Sequence, residues 1–239
     1  MMRALVAAVA GALATAGAAQ ARPVVFAAAS LTHVFPKIQP ASYEFEGSNQ
    51  LAFQIQQGAP ADVFVSANPK YVVQLQNEGL TLGRPVWFAT DELVLIVPRS
   101  NPAHIRTPAD LTRPGTRLVI GAVGVPAGDY ARKSLAGMHL DAALANVVSN
   151  EPDVEGVVAK VALGEADAGF AYRSDAIAHA KQLEVIPLPR AGHFVAVDGA
   201  VVVKSAPHLA EARAFVRALT TKRAQRLLAS AGFGRAPRQ

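Results

Sequence analysis

The residues best placed to do chemistry in this chain are small and neutral, and they sit at junctions. Ser30 and Thr32 follow an apolar run at 24–27, and Ser48 and Asn49 follow Gly47. Val125-Pro126-Ala127-Gly128 and Pro152-Asp153-Val154 each read as a turn that opens a helix. A helix N-terminus exposes unpaired backbone N–H groups and a partial positive charge. Several such ends, converging with serine hydroxyls, bind a desolvated oxyanion without arginine or lysine. Taken singly, each junction is more often an ordinary helix cap.

Other chemistries lack their residues. The six histidines are His33, His104, His139, His179, His193 and His208. No two of them fall at i,i+3 or i,i+4, so a helix-borne zinc site is not expected. The nucleophile elbow G-x-S-x-G and the S-x-x-K pattern do not occur. Gly121-Ala122-Val123-Gly124 precedes a helix start but breaks the G-x-G-x-x-G spacing of a dinucleotide turn. The serine–histidine pairing nearest these junctions is Ser30 or Ser48 with His33, which would serve the least favoured reading, an exported enzyme.

These junctions need elements to hold them. Expected strands lie at 24–27, 63–65, 93–97, 118–120, 169–171, 184–186 and 200–203. Several are apolar throughout, as strands covered on both faces are. Expected helices lie at 51–57, 69–78, 154–163, 209–219 and 222–229, several of them stopped by Gly58, Gly79 or Gly164. Pro36 and Pro40 make 33–40 a poor helix. The alternation implies an α/β protein with mainly parallel sheets. Either one sheet or two lobes would satisfy it; 87–97 and 197–203 are the candidate crossings.

Composition narrows the setting. Cysteine is absent, which removes disulfide frameworks, thiolate metal sites and cysteine nucleophiles. The net charge of +5 raises nucleic acid as a partner. The basic residues are scattered, however, and one tryptophan with four tyrosines gives little stacking surface, so no nucleic-acid partner is expected. Arg3, an Ala-rich apolar run at 4–18 and Ala19-Gln20-Ala21 have the form of a signal peptide cleaved near Ala21. The run is shorter than the roughly 20 residues that span a bilayer. The expected product is therefore an exported chain beginning near Arg22.

Longer strings then point to a family. They are A-A-A-S-L-T at 27–32, Gly47-Ser48, Q-G-A-P-A-D at 57–62, D-E-L-V-L-I-V-P at 91–98, V-P-A-G at 125–128 and G-E-A-D-A-G-F-A-Y-R-S-D-A at 164–176. In this order they resemble the periplasmic molybdate-binding proteins of ABC transporters, over essentially the whole exported chain. The resemblance implies the type II periplasmic-binding-protein fold, an α/β fold with two lobes and two crossing segments. Lobe one would be 22–90 with 199–239, lobe two 91–198, and 1–21 the signal peptide. It also implies a monomeric, non-enzymatic periplasmic receptor that hands molybdate or tungstate to a permease with its ATPase. No cofactor and no residue ligating a metal cation is expected.

By the same resemblance the ligand-binding residues are Ser30 and Ser48 through hydroxyl and backbone N–H, Ala127 and Val154 through backbone N–H, and Tyr172 through its phenol. Asp129 and Asp153 would turn away as caps. The chain departs from the family in two places. The segment from Ser30 to Ser48 is shorter by about two helical turns, and Asn49 stands where a second serine is usual. These departures keep an alternative open, a binding protein or sensor for another small oxyanion such as sulfate.

Overall fold

The computed structural model describes residues 22–237; the segment read as a signal peptide lies outside them. The chain begins with β1 (Val24–Ala28), a 3-10 turn at Ala29–Leu31, α1 (Phe35–Ile38), β2 (Ser42–Glu46), α2 (Ser48–Gln56), β3 (Val63–Ser66) and α3 (Pro69–Asn77). A long strand, β4 (Thr81–Pro98), follows, then β5 (Leu118–Gly121), α4 (Pro126–Gly137), β6 (Val147–Glu151), α5 (Val154–Ala162), β7 (Ala168–Tyr172), α6 (Arg173–Ala178) and β8 (Leu183–Ile186). The chain closes with β9 (Val195–Val203), α7 (Leu209–Ala218), α8 (Lys222–Ser230) and β10 (Gly234–Arg235).

The strands run β2-β1-β3-β9-β4-β7-β5-β6, with β8 and β10 also pairing on β4. Strand β4 divides this path. Its first part, up to Glu92, pairs with β9, and its last part, from Leu93, pairs with β7 and β8. Two sheets therefore share one continuous strand. The buried strands are apolar because both faces are covered: β3, β5 and β7 have no exposed position.

The expectation of mainly parallel sheets is corrected. Parallel pairing joins β1 to β2 and β3, and β5 to β6 and β7. Every pair made by β4 or β9 is antiparallel. Helical crossovers produce the parallel pairs, whereas β4 and β9 pass through the middle of the path as linking strands. Strand β2 escaped the sequence reading because it is an edge strand with alternating exposure, Ser42 and Glu44 outward.

The segment 33–40 forms one helical turn, as its prolines require. Phe35 anchors it, wholly buried, with ring centroids 5.8 Å from Phe88 and 5.7 Å from Phe215. That aromatic cluster fixes the turn carrying Ser30 despite the short connection.

Several family-like acidic residues serve the fold. Asp62 is fully buried and accepts hydrogen bonds from the Val24 N–H (2.7 Å) and the His208 N–H (2.7 Å). His208 Nδ1 lies 2.9 Å from the same carboxylate, tying the start of β1 to the start of α7. Asp167 receives the Arg117 backbone N–H at 2.8 Å and its guanidinium at 2.7 Å.

Candidate functional site

A cleft lies where the helix starts of the two sheets meet. Its walls include Ser30, Gly47, Ser48, Ala127, Val154 and Tyr172, so all five residues expected from the sequence come together. It is small: its empty space, counted together with the solvent at its mouth, is about 220 Å³. An ion of a few atoms suits that size.

On the first wall, Ser30 sits in the 3-10 turn after β1 and Ser48 opens α2. Both are buried. Ser30 Oγ has no hydrogen-bond partner. Ser48 Oγ accepts from the Ala67 N–H at 3.2 Å, which leaves its own proton free to be donated. On the second wall, Pro126 takes the first position of α4 and carries no N–H, so Ala127 supplies that helix's first free donor. Val154 opens α5. Tyr172 ends β7, buried, and its phenol oxygen also has no partner.

The capping pattern sets two of these ends apart from α3 and α8. Asn68 caps α3 by accepting from the Lys70 N–H, and Thr221 caps α8 from the Ala224 N–H. No side chain caps α2 or α4; their N-cap residues are Gly47 and Val125. Their first N–H groups therefore remain available at the cleft. At α5 the Asp153 carboxylate accepts from the Gly156 N–H at 2.9 Å, leaving the earlier Val154 N–H uncapped. Asp129 likewise turns to the Gly124 N–H, also at 2.9 Å.

The walls are in contact. A Cβ on Gly47 would stand 2.5 Å from the Pro152 carbonyl oxygen across the cleft, so only glycine permits this approach. The Tyr71 hydroxyl donates to the Gly124 carbonyl. In the second wall, a Cβ on Gly128 would stand 2.1 Å from the Gly121 carbonyl oxygen, so glycine lets α4 start directly on the end of β5.

Electrostatics favour neutral donors. No cationic side chain lines the cleft among the described residues. Burial, followed by the neighbouring Tyr130 and Asp198, holds the Tyr172 phenol well above its usual pKa, so it remains an O–H donor. Behind it, Asp91, Asp175 and Asp198 are buried. Burial and the Asp175 charge push Asp198 up to about 8, so it is largely neutral near pH 7. Burial likewise raises Asp91 and Asp175 well above the carboxylate range. Asp91 takes the Ser174 hydroxyl, and Asp175 accepts from the Tyr172 N–H at 2.9 Å.

Sequence reading missed Glu46, which borders the cleft. Its carboxylate accepts from Gln54 at 2.8 Å, and burial with the Glu44 charge raises its pKa. Its position one residue before the Gly47-Ser48 junction was the available signal. Asn49 does not line the cleft; it stands beside Gly124 at the contact between the walls. Neither Ser30 nor Ser48 pairs with His33: Ser30 Oγ is unpartnered, Ser48 Oγ accepts from the Ala67 N–H, and His33 faces Glu155.

A cleft between two α/β halves, lined by donors and lacking a nucleophile–base pair among the described residues, has the build of a solute-binding protein. A family model described as bacterial extracellular solute-binding protein matches residues 24–234, and the chain belongs to that family. It is 38% identical over 224 residues to the molybdate-binding protein ModA of Mycobacterium tuberculosis, covering 89% of this chain and 84% of that one. Two solved structures share the fold. The periplasmic molybdate-binding protein of Azotobacter vinelandii has a TM-score of 0.77 at 23% identity, over 91% of this chain and 100% of that one. The sulfate-binding protein SubI of Mycobacterium tuberculosis has a TM-score of 0.73 at 20% identity, over 89% and 86%.

Proposed function

We propose that this protein is the molybdate-binding component of an ABC importer, and that tungstate binds in the same cleft. It is exported, with cleavage near Ala21, acts as a monomer in the periplasm, catalyses no reaction and delivers its ligand to a permease with its ATPase. Residues 22–90 with 199–239 form one lobe and 91–198 the other, closing on the anion. Ser30, Ser48, Ala127, Val154 and Tyr172 hold it.

The observation that carries this reading is the pair of buried hydroxyls without partners, Ser30 Oγ and Tyr172 OH, on opposite walls of one small cleft. A buried polar group is costly unless something completes it. Both groups can donate, and the uncapped starts of α2 and α4 add further donors. Molybdate near neutral pH is a tetrahedral dianion that only accepts. A site of donors suits it and disfavours hydrogen phosphate, whose O–H needs an acceptor. Sulfate also only accepts, so cavity size must separate the two. The identity to a curated molybdate-binding protein supports the larger ion.

Calorimetric titration with molybdate, tungstate, sulfate and phosphate tests the reading. Tight binding of the first two, with weaker sulfate and weakest phosphate, is the expected order. Sulfate bound as tightly as molybdate overturns the assigned ligand, and no binding of any of the four overturns the site.

A further inference from the structure

We propose that His33, Glu155 and His179 form a binding site for a divalent transition-metal ion of the zinc class, bridging the two walls beside the cleft. His33 lies in the turn after β1, Glu155 is the second residue of α5, and His179 directly follows α6. The three each offer one ligand atom, and these atoms lie within 4.8 Å of one another. The site needs no other residue to be drawn in, and its fourth position is left to water.

The chemistry of each member fits a cation. His33 Nε2 and Glu155 Oε1 are 3.4 Å apart. Zinc bonds of roughly 2.0–2.1 Å in a tetrahedron place neighbouring ligand atoms about 3.3 Å apart. Glu155 Oε1 is nonetheless buried without a hydrogen-bond partner, the state of an acceptor awaiting a cation. His179 Nδ1 lies 3.1 Å from the Asp175 carbonyl oxygen. A carbonyl can only accept, so Nδ1 carries the proton and Nε2 keeps its electron pair. Ligating histidines are commonly fixed in this way by a carbonyl on the other nitrogen. The His33 side chain is 44% exposed, which gives the ion an entry path.

Sequence spacing could not reveal this group, because its members come from three separate elements. Its position gives it a consequence. Glu155 adjoins Val154, and His33 lies one turn after Ser30. A cation here ties the two walls together and adds positive charge next to a cleft whose lining has none.

Titration of the tagless protein with Zn2+ alone, with no oxyanion present, tests this independently of the anion reading. One equivalent should bind, and Co2+ in its place should give the visible spectrum of a low-symmetry nitrogen–oxygen site. His33→Ala and His179→Ala should each weaken binding by more than the roughly 10–100-fold lost with a supporting group. Circular dichroism should show both variants folded. His193→Ala, removing a histidine paired with Glu92 elsewhere on the surface, should leave binding unchanged. Absence of stoichiometric Zn2+ binding overturns the proposal. So does binding that survives the double His33/His179 variant, or that is abolished by His193→Ala.

Discussion

On the first wall of the cleft two of the donors hang on side chains, the hydroxyls of Ser30 and Ser48, carried by a tight turn and by the start of α2. On the second wall two of the three candidate donors, at Ala127 and Val154, are backbone N–H groups, and only Tyr172 offers a side chain. The buried acids of the two halves differ as well. In the half that carries the first wall, Asp62, at the far end of β1 from Ser30, is fully partnered by Val24 and His208. Behind the second, Asp198 has no partner for either carboxylate oxygen. A wall of side-chain donors is open to single substitutions, whereas a wall of backbone donors is nearly immune to them. Its weakness lies in the buried acids that support it.

The largest effect is expected where the walls touch. The backbone of Gly47 is in an ordinary extended conformation, φ −60° and ψ 134°, which any residue adopts. Gly47→Val therefore leaves the backbone unstrained, but breaks the approach to Pro152 and crowds the Asn49 side chain. Oxyanion affinity should fall more than about 100-fold, equal to about 2.7 kcal/mol, and small-angle scattering should show a more open particle. An affinity close to wild type would mean that the walls need not meet.

Next come the unpartnered hydroxyls. Ser30→Ala and Tyr172→Phe each delete one hydrogen bond to a charged ligand, worth roughly 1.5–3 kcal/mol. Each should weaken binding by about 10–150-fold in calorimetry, with the melting temperature close to wild type. Their equality would show that both walls grip the anion. An effect confined to Ser30→Ala would assign the grip to the first wall.

A pH-dependent effect distinguishes the supports. In the unfolded chain Asp198 ionises near pH 4, whereas in the folded chain it holds its proton up to about 8. Between these values the folded state binds more protons, so stability falls as pH rises. The loss is complete above about pH 8 and absent below about pH 4. Asp198→Asn should therefore be more stable than wild type at pH 8 and nearly equal at pH 4, by thermal unfolding. Parallel curves at all pH values would show that Asp198 is not the responsible group.

The smallest effect tests the backbone wall. Val154→Ala keeps the N–H and the Asp153 cap, and should change oxyanion affinity by less than about threefold, although the lost burial lowers stability by about 1 kcal/mol. A larger drop in affinity would mean that the Val154 side chain shapes the cavity.

Much of this was legible in the sequence because it is local. Apolar runs bounded by glycines marked strands and helices, and the two prolines after Val34 foretold the single turn of α1. Ser30, Ser48, Ala127 and Val154 were visible as junction residues, since a helix start is written in neighbouring residues. Their assignment to one ligand came from the family resemblance. Strand β2 was hidden because its edge position leaves it mixed in polarity, and the length and direction of β4 were hidden because antiparallel partners lie far along the chain.

The sequence by itself determined the α/β alternation, the absence of cysteine chemistry and the small neutral donors at the junctions, all set by composition and by contacts a few residues apart. Only the tertiary structure decided which polar groups would be completed from within. Asp62, Asp91 and Asp167 found donors from distant segments, whereas Ser30 and Tyr172 did not. It also brought His33, Glu155 and His179 together from three elements. Whether a buried polar group is satisfied depends on chain segments dozens of residues away, which local sequence does not place.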